Sequence, residues 1–154
     1  MTGKSAETAT LYNVPGSQST ITAMTTMSLR EIGKLDALQK ALQSFCVSHG
    51  LVGDAQVELA TSVEELVVNS FKHGQASEVT VAIADDGTDV VVEIRDDGSA
   101  YNPFVRPPPN LDVPLLERAV GGMGIHLVKN LTDSQEYRWE GGRNVMVLRK
   151  KKAD

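Results

Sequence analysis

Glu65 and Asn69 stand four residues apart in the stretch ELVVNSFKHG, followed closely by Lys72 and His73. On a helix that spacing puts the Glu and Asn side chains one turn apart on one face. A carboxylate there can accept a proton from a nucleophile, and an Asn oxygen suits a hard cation such as Mg2+. The same four residues can equally be a solvated flank, although an Asn in mid-helix competes for backbone hydrogen bonds and makes poor filler.

Two further segments carry chemistry-bearing types. In EIRDDGSAYNPF, Asp96 and Asp97 fall where a β-branched run ends, and Gly98 lets the backbone turn or approach a flat ligand. This is either an ordinary Asp-Gly turn or a carboxylate placed to accept from an exocyclic amine such as that of adenine. In GGMGIHLVKN, Gly121, Gly122 and Gly124 precede a helical pattern. Exposed N–H groups at such a start suit an anion, and glycines let phosphate come close, but glycine also simply turns chains.

Around these segments the chain supplies a frame. Residues 1–18 are Ser/Thr-rich, without an apolar signal-peptide core, and read as a flexible lead-in to one domain over 19–150. ITAMTTMSL predicts an edge strand. Apolar Ile32, Leu35, Leu38, Leu42, Phe45 and Cys46 recur at helical spacing up to the stop at Gly50. A second helix is predicted over about 54–73, with Asp54 as N-cap and Gly74 as terminator. Its wheel places Leu59, Val63, Leu66, Val67 and Ser70 toward the sheet, and Glu58, Ser62, Glu65, Asn69, Lys72 and His73 on the neighbouring flank.

Two strands joined at Asp86-Gly87 follow, then a proline-rich irregular segment over 99–120. A short helix and a hairpin closed at Gly141-Gly142 complete the order (β)ααββ, loop, αββ. This is an α+β pattern: two layers, helices on one face of a mostly antiparallel, mixed sheet.

Composition narrows the classes. A net charge of −5 speaks against a general nucleic-acid binder, and no apolar run is long enough to span a bilayer. The lone Cys46 reads as a small core residue in a reducing, cytoplasmic protein. LRKKK at 148–152 reads as a solubilising tail or a surface for an acidic partner.

In order, the three segments resemble the nucleotide-binding boxes of the GHKL (Bergerat-fold, histidine-kinase-like) ATPase superfamily, nearest to its small anti-sigma serine/threonine kinases, over about 32–149. The resemblance implies ATP and Mg2+ as cofactors, with Asn69 on Mg2+ and Glu65 as general base. It implies Asp96 on the adenine amine, Gly98 against the base, and Gly122, Gly124 and Ile125 at the phosphates. Residues 99–120 would be the ATP lid, with Arg118 reaching the terminal phosphate and Lys72 a weaker second. Ala100 departs from the pattern, standing where the superfamily has a second glycine. The implied function is phosphorylation of a small anti-sigma-factor antagonist and sequestration of a sigma factor. It involves no direct nucleic-acid contact and leaves a homodimer open. The alternatives are a nucleotide-gated protein-binding module without kinase activity and an α+β interaction domain without a ligand.

Overall fold

The computed structural model describes residues 21–105 and 122–152, of which residues 122–125 by their backbone alone. Five strands, β1 (Ala23–Leu29), β2 (Val79–Asp85), β3 (Asp89–Asp96), β4 (Ser134–Glu140) and β5 (Arg143–Lys151), form one sheet in the order β1-β2-β3-β5-β4. All four pairings are antiparallel, so the parallel component implied by a mixed sheet does not exist among the described strands. Tight turns make this possible: Gly87, Gly141 and Gly142 all have positive φ, which the hairpin turns require. The Thr-rich first strand lies at the edge, as its composition predicts.

Among the described residues three helices, α1 (Leu35–Ser48), α2 (Gly53–Lys72) and α3 (Gly122–Leu131), form the second layer. Leu38, Leu42 and Cys46 of α1 are buried at a repeat of four. Leu59, Val63, Leu66 and Val67 of α2 join them against Val81, Ile83, Val92, Ile94, Met146 and Leu148 of the sheet. Each is almost fully removed from water, worth roughly 1.5–3 kcal/mol per large side chain before entropy is charged. Burial pushes the Cys46 thiol up to about 12, which leaves it inert packing.

The start of α2 differs from expectation. The helix begins at Gly53, its N-cap is Val52 without a capping side chain, and Asp54 lies inside the first turn. From there its charge still complements the helix dipole.

The basic run near the end of β5 is likewise not a solubilising tail. Arg149 donates to Asp86 at 2.9 Å, Lys150 to Glu58 at 2.7 Å and the Leu131 carbonyl at 2.6 Å, and Lys152 to both oxygens of Asp85 at 2.9 Å. His49 Nδ1 also lies 2.9 Å from Asp85. The acidic partners of this run are within the chain.

Burial alone would raise the Asp85 carboxyl, but Lys152, the Gly87 N–H and His49 together hold it below its ordinary value of 3.8. A carboxyl lowered on folding stabilises the fold fully above its unfolded value, and that contribution is lost as pH falls through the folded one. Wild-type Tm should therefore drop below about pH 4, and Asp85→Asn should lower Tm at neutral pH while flattening the acid slope. An unchanged slope in thermal melts from about pH 6 to 2 would contradict this account.

Candidate functional site

The site grows from the place where α2 and β3 end side by side. Gly98 follows β3, and a Cβ added there would sit 2.4 Å from the Gly74 carbonyl oxygen and 3.3 Å from the Ala76 nitrogen. The Ser99 N–H donates to the same Gly74 oxygen at 3.1 Å. Backbone meets backbone here, so Gly98 is required by chain packing whatever its relation to a ligand. The left-handed residue that ends the α2 turn is Gln75, with φ of 58°, and not Gly74.

This approach brings Asp96 to α2. Asp96 continues the inward register of Val90, Val92 and Ile94 and is 3% exposed. Ser70 Oγ donates to its Oδ2 at 2.6 Å, and the Gly98 N–H donates to its Oδ1 at 2.9 Å. Asn144, its register partner on β5, donates to the same Oδ1 at 2.8 Å. Hydrogen bonds to an ionised group are worth about 1.5–3 kcal/mol each, which offsets the cost of burying the carboxylate.

Asp96, Asn69, Ser70, Leu66, Gly74, Ser99, Tyr101, Pro103, Asn144 and Met146 line one small cavity. Asn69 is 9% exposed, and its Nδ2 is buried without a hydrogen-bond partner among the described residues. An orphaned buried amide N–H costs about 1–3 kcal/mol, and in Asn69 it is the nitrogen and not the oxygen that is left so. One Asn oxygen suffices for Mg2+, which takes few protein ligands and leaves the rest to phosphates and water.

The other expected residues distribute unevenly. Glu65 is half-buried one turn before Asn69 and does not line this cavity. Lys72 and His73 are exposed at the end of α2. Gly122, Gly124 and Ile125 fall in the first turn of α3, whose free N–H groups face no helical acceptor. That helix packs against α2 and against the 3-10 turn Pro103–Val105. Arg118 and the rest of the expected lid from residue 106 to 120, with Gly121 after it, lie outside the described residues.

Ser70 and Asn144 were not among the residues expected at the site. Their signal was a polar type in an inward, apolar register: Ser70 on the arc of Leu59, Val63 and Leu66, and Asn144 alternating with Met146 and Leu148.

The geometry is that of a buried acceptor and a free amide at one end of a two-layer α+β sandwich. A family model for the histidine kinase-like ATPase domain matches residues 30–150. The chain belongs to that family, which makes ATP its expected ligand class. No curated protein matches the sequence. Among solved structures, the chain is similar to the RsbU and RsbW domains of a Mycobacterium tuberculosis protein, at 15% identity and a TM-score of 0.55. The match covers 84% of this chain and 33% of that one, so this chain spans about a third of its neighbour's length and the likeness is one of fold. No helix among the described residues is long and apolar enough to cross a membrane.

Two substitutions test the geometry. Gly98→Ala should lower stability by about 1–3 kcal/mol, because a methyl meeting backbone cannot be relieved by a rotamer change. Asn69→Leu should raise Tm by removing the orphaned amide. A Gly98→Ala protein as stable as wild type, or an Asn69→Leu protein less stable, would refute the respective assignment in a thermal melt.

Proposed function

We propose that the chain is an ATP-dependent regulatory protein of the anti-sigma type, a serine/threonine kinase that phosphorylates a small antagonist protein and holds a sigma factor as its competing partner. The observation that carries the reading is the buried Asp96 carboxylate opening on the same cavity as the unpaired Asn69 amide. Asp96 accepts from the adenine amine, which selects adenine over a base with a carbonyl in that position. Asn69 would hold Mg2+, which neutralises charge on the phosphates when bound. Gly122, Gly124 and Ile125 offer backbone N–H groups to phosphate oxygens at the start of α3. Arg118 is the cation proposed for the terminal phosphate, with Lys72 second.

Glu65 is the proposed base. It accepts the proton of a substrate hydroxyl as that oxygen forms its bond to the terminal phosphorus of ATP and the bond to the bridging oxygen breaks, leaving ADP. Positioning and charge neutralisation supply most of the acceleration in such transfers, so the site needs little covalent machinery.

A second reading, a nucleotide-gated binding module without transfer, draws on Glu65 standing outside the lining of the cavity. Both readings require ATP. Saturating Mg-ATP should raise Tm by several degrees, by mass action on the folded state, and Asp96→Asn should remove the shift. No shift in the wild type would sink both readings. Incubation with labelled ATP and an antagonist protein recovered by pull-down separates the two: transfer abolished by Glu65→Gln supports the kinase, and ATP-dependent binding without transfer supports the module.

A further inference from the structure

Asn144 is 3% exposed, and its side-chain amide offers two N–H donors and two oxygen lone pairs. All four are used. Nδ2 donates to Asp96 Oδ1 and to the Ser99 carbonyl oxygen, both at 2.8 Å. Oδ1 accepts from the Tyr101 N–H at 2.9 Å and from the Tyr137 hydroxyl at 2.6 Å. With no capacity left over, this amide does not serve as a ligand contact. It joins the end of β3, the strap that follows it, and the edge strand β4.

The same accounting applies to Asp96. A carboxylate has about four acceptor positions. Oδ1 takes the Gly98 N–H and Asn144, and Oδ2 takes Ser70, which leaves one position on Oδ2. Three fixed donors therefore set where that last acceptor points. Ser99 and Tyr101, which Asn144 also grips, line the same cavity.

We infer that Asn144 is a positioning residue that couples two things: the direction of the remaining Asp96 acceptor and the seating of the Ser99–Tyr101 strap. The inference rests on the adenine-nucleotide reading of the site. Lifting the strap strips the amide of two partners at once and loosens the donor that steadies Asp96. Seating the strap restores all four bonds, so base recognition and strap position share one equilibrium. Cooperative networks of this kind are worth more than their separate bonds.

The test uses the full chain, with Asn144→Ala and Tyr137→Phe. Three readings are taken: hydrogen exchange at the Tyr101 amide without nucleotide, dissociation constants for ATP and for ITP, and emission of the single tryptophan. ITP carries a carbonyl where ATP carries the amine. Trp139 is the register partner of Asn144 and about half exposed, so it reports on this end of the hairpin. Asn144→Ala should speed Tyr101 exchange, weaken ATP roughly tenfold, narrow the ATP-to-ITP preference and shift the emission. Tyr137→Phe, which keeps the amide and its bond from the Tyr101 N–H but frees one lone pair of its oxygen, should move the same readings less far.

Equal losses for ATP and ITP, or Tyr101 exchange as slow as in wild type, would overturn the proposal, because a residue that only supports the fold predicts those results. Where Asn144→Ala does not fold, Tyr137→Phe decides by the same criteria. A wild type that binds neither nucleotide brings down the nucleotide reading and with it the Asp96 half of the inference. Tyr101 exchange needs no ligand and judges the strap half independently.

Discussion

The contact on which the rest of the molecule depends carries no side chain at all: the backbone of Gly98 lies against the carbonyl of Gly74. A helix end and a strand end normally keep side chains between them. Here both positions are glycine, and the Ser99 N–H closes the contact with a hydrogen bond to Gly74. Asp97, next to it, accepts from the Ser77 hydroxyl and from the N–H groups of Ser77 and Glu78, which fastens the α2–β2 connection to the same point. The Ser77 hydroxyl, with those N–H groups, draws the Asp97 carboxyl down to about 2. Only because the two ends meet can Ser70, within a turn of the end of α2, reach Asp96 at the end of β3.

The two ends of the sheet handle negative charge in opposite ways. At the far end, Asp85 has Lys152 and His49, and Asp86 has Arg149; on the outer face, Glu93 has Arg95 and Arg138. Asp96 is as deeply buried as these, yet its donors are a hydroxyl, a backbone N–H and an amide, all neutral. A buried carboxylate without a cation is expensive and is tolerated where its remaining acceptor has work to do. The contrast within one sheet is stronger evidence than burial alone, because each of the other buried carboxylates among the described residues, Asp85, Asp86 and Glu93, has a cation.

Much of the architecture was legible from periodicity. The spacing of Leu38, Leu42 and Cys46, the alternation along β3 and the Gly-containing turns each determine local structure through local rules, and the element order follows from them. Asp54 misled because its residue type suits a cap, whereas capping depends on where the backbone leaves helical geometry, at Val52. The LRKKK run misled because charge in a sequence carries no address, and its acidic partners lie up to 92 residues away. Likewise, the Glu65–Asn69 spacing and the Asp-Asp-Gly segment pointed to Asn69 and Asp96, which meet at one cavity. Ser70 passed for a small core residue, since nothing local says which long-range acceptor its hydroxyl will find.

That last failure has a physical origin which also explains the form of the site. Ser70, Asp96 and Asn144 all occupy inward positions where their periodicity calls for apolar residues. Placed singly, each would leave an unsatisfied group in the core and cost stability. Placed together, they satisfy one another, leaving one Asp96 acceptor and the Asn69 Nδ2 without partners among the described residues. The polar cluster is therefore foldable only as a set, and its two unfilled positions are what such a set can offer to a ligand. The helices and strands retain ordinary apolar packing up to their last turn, and the chemistry is confined to where α2, β3 and β5 converge.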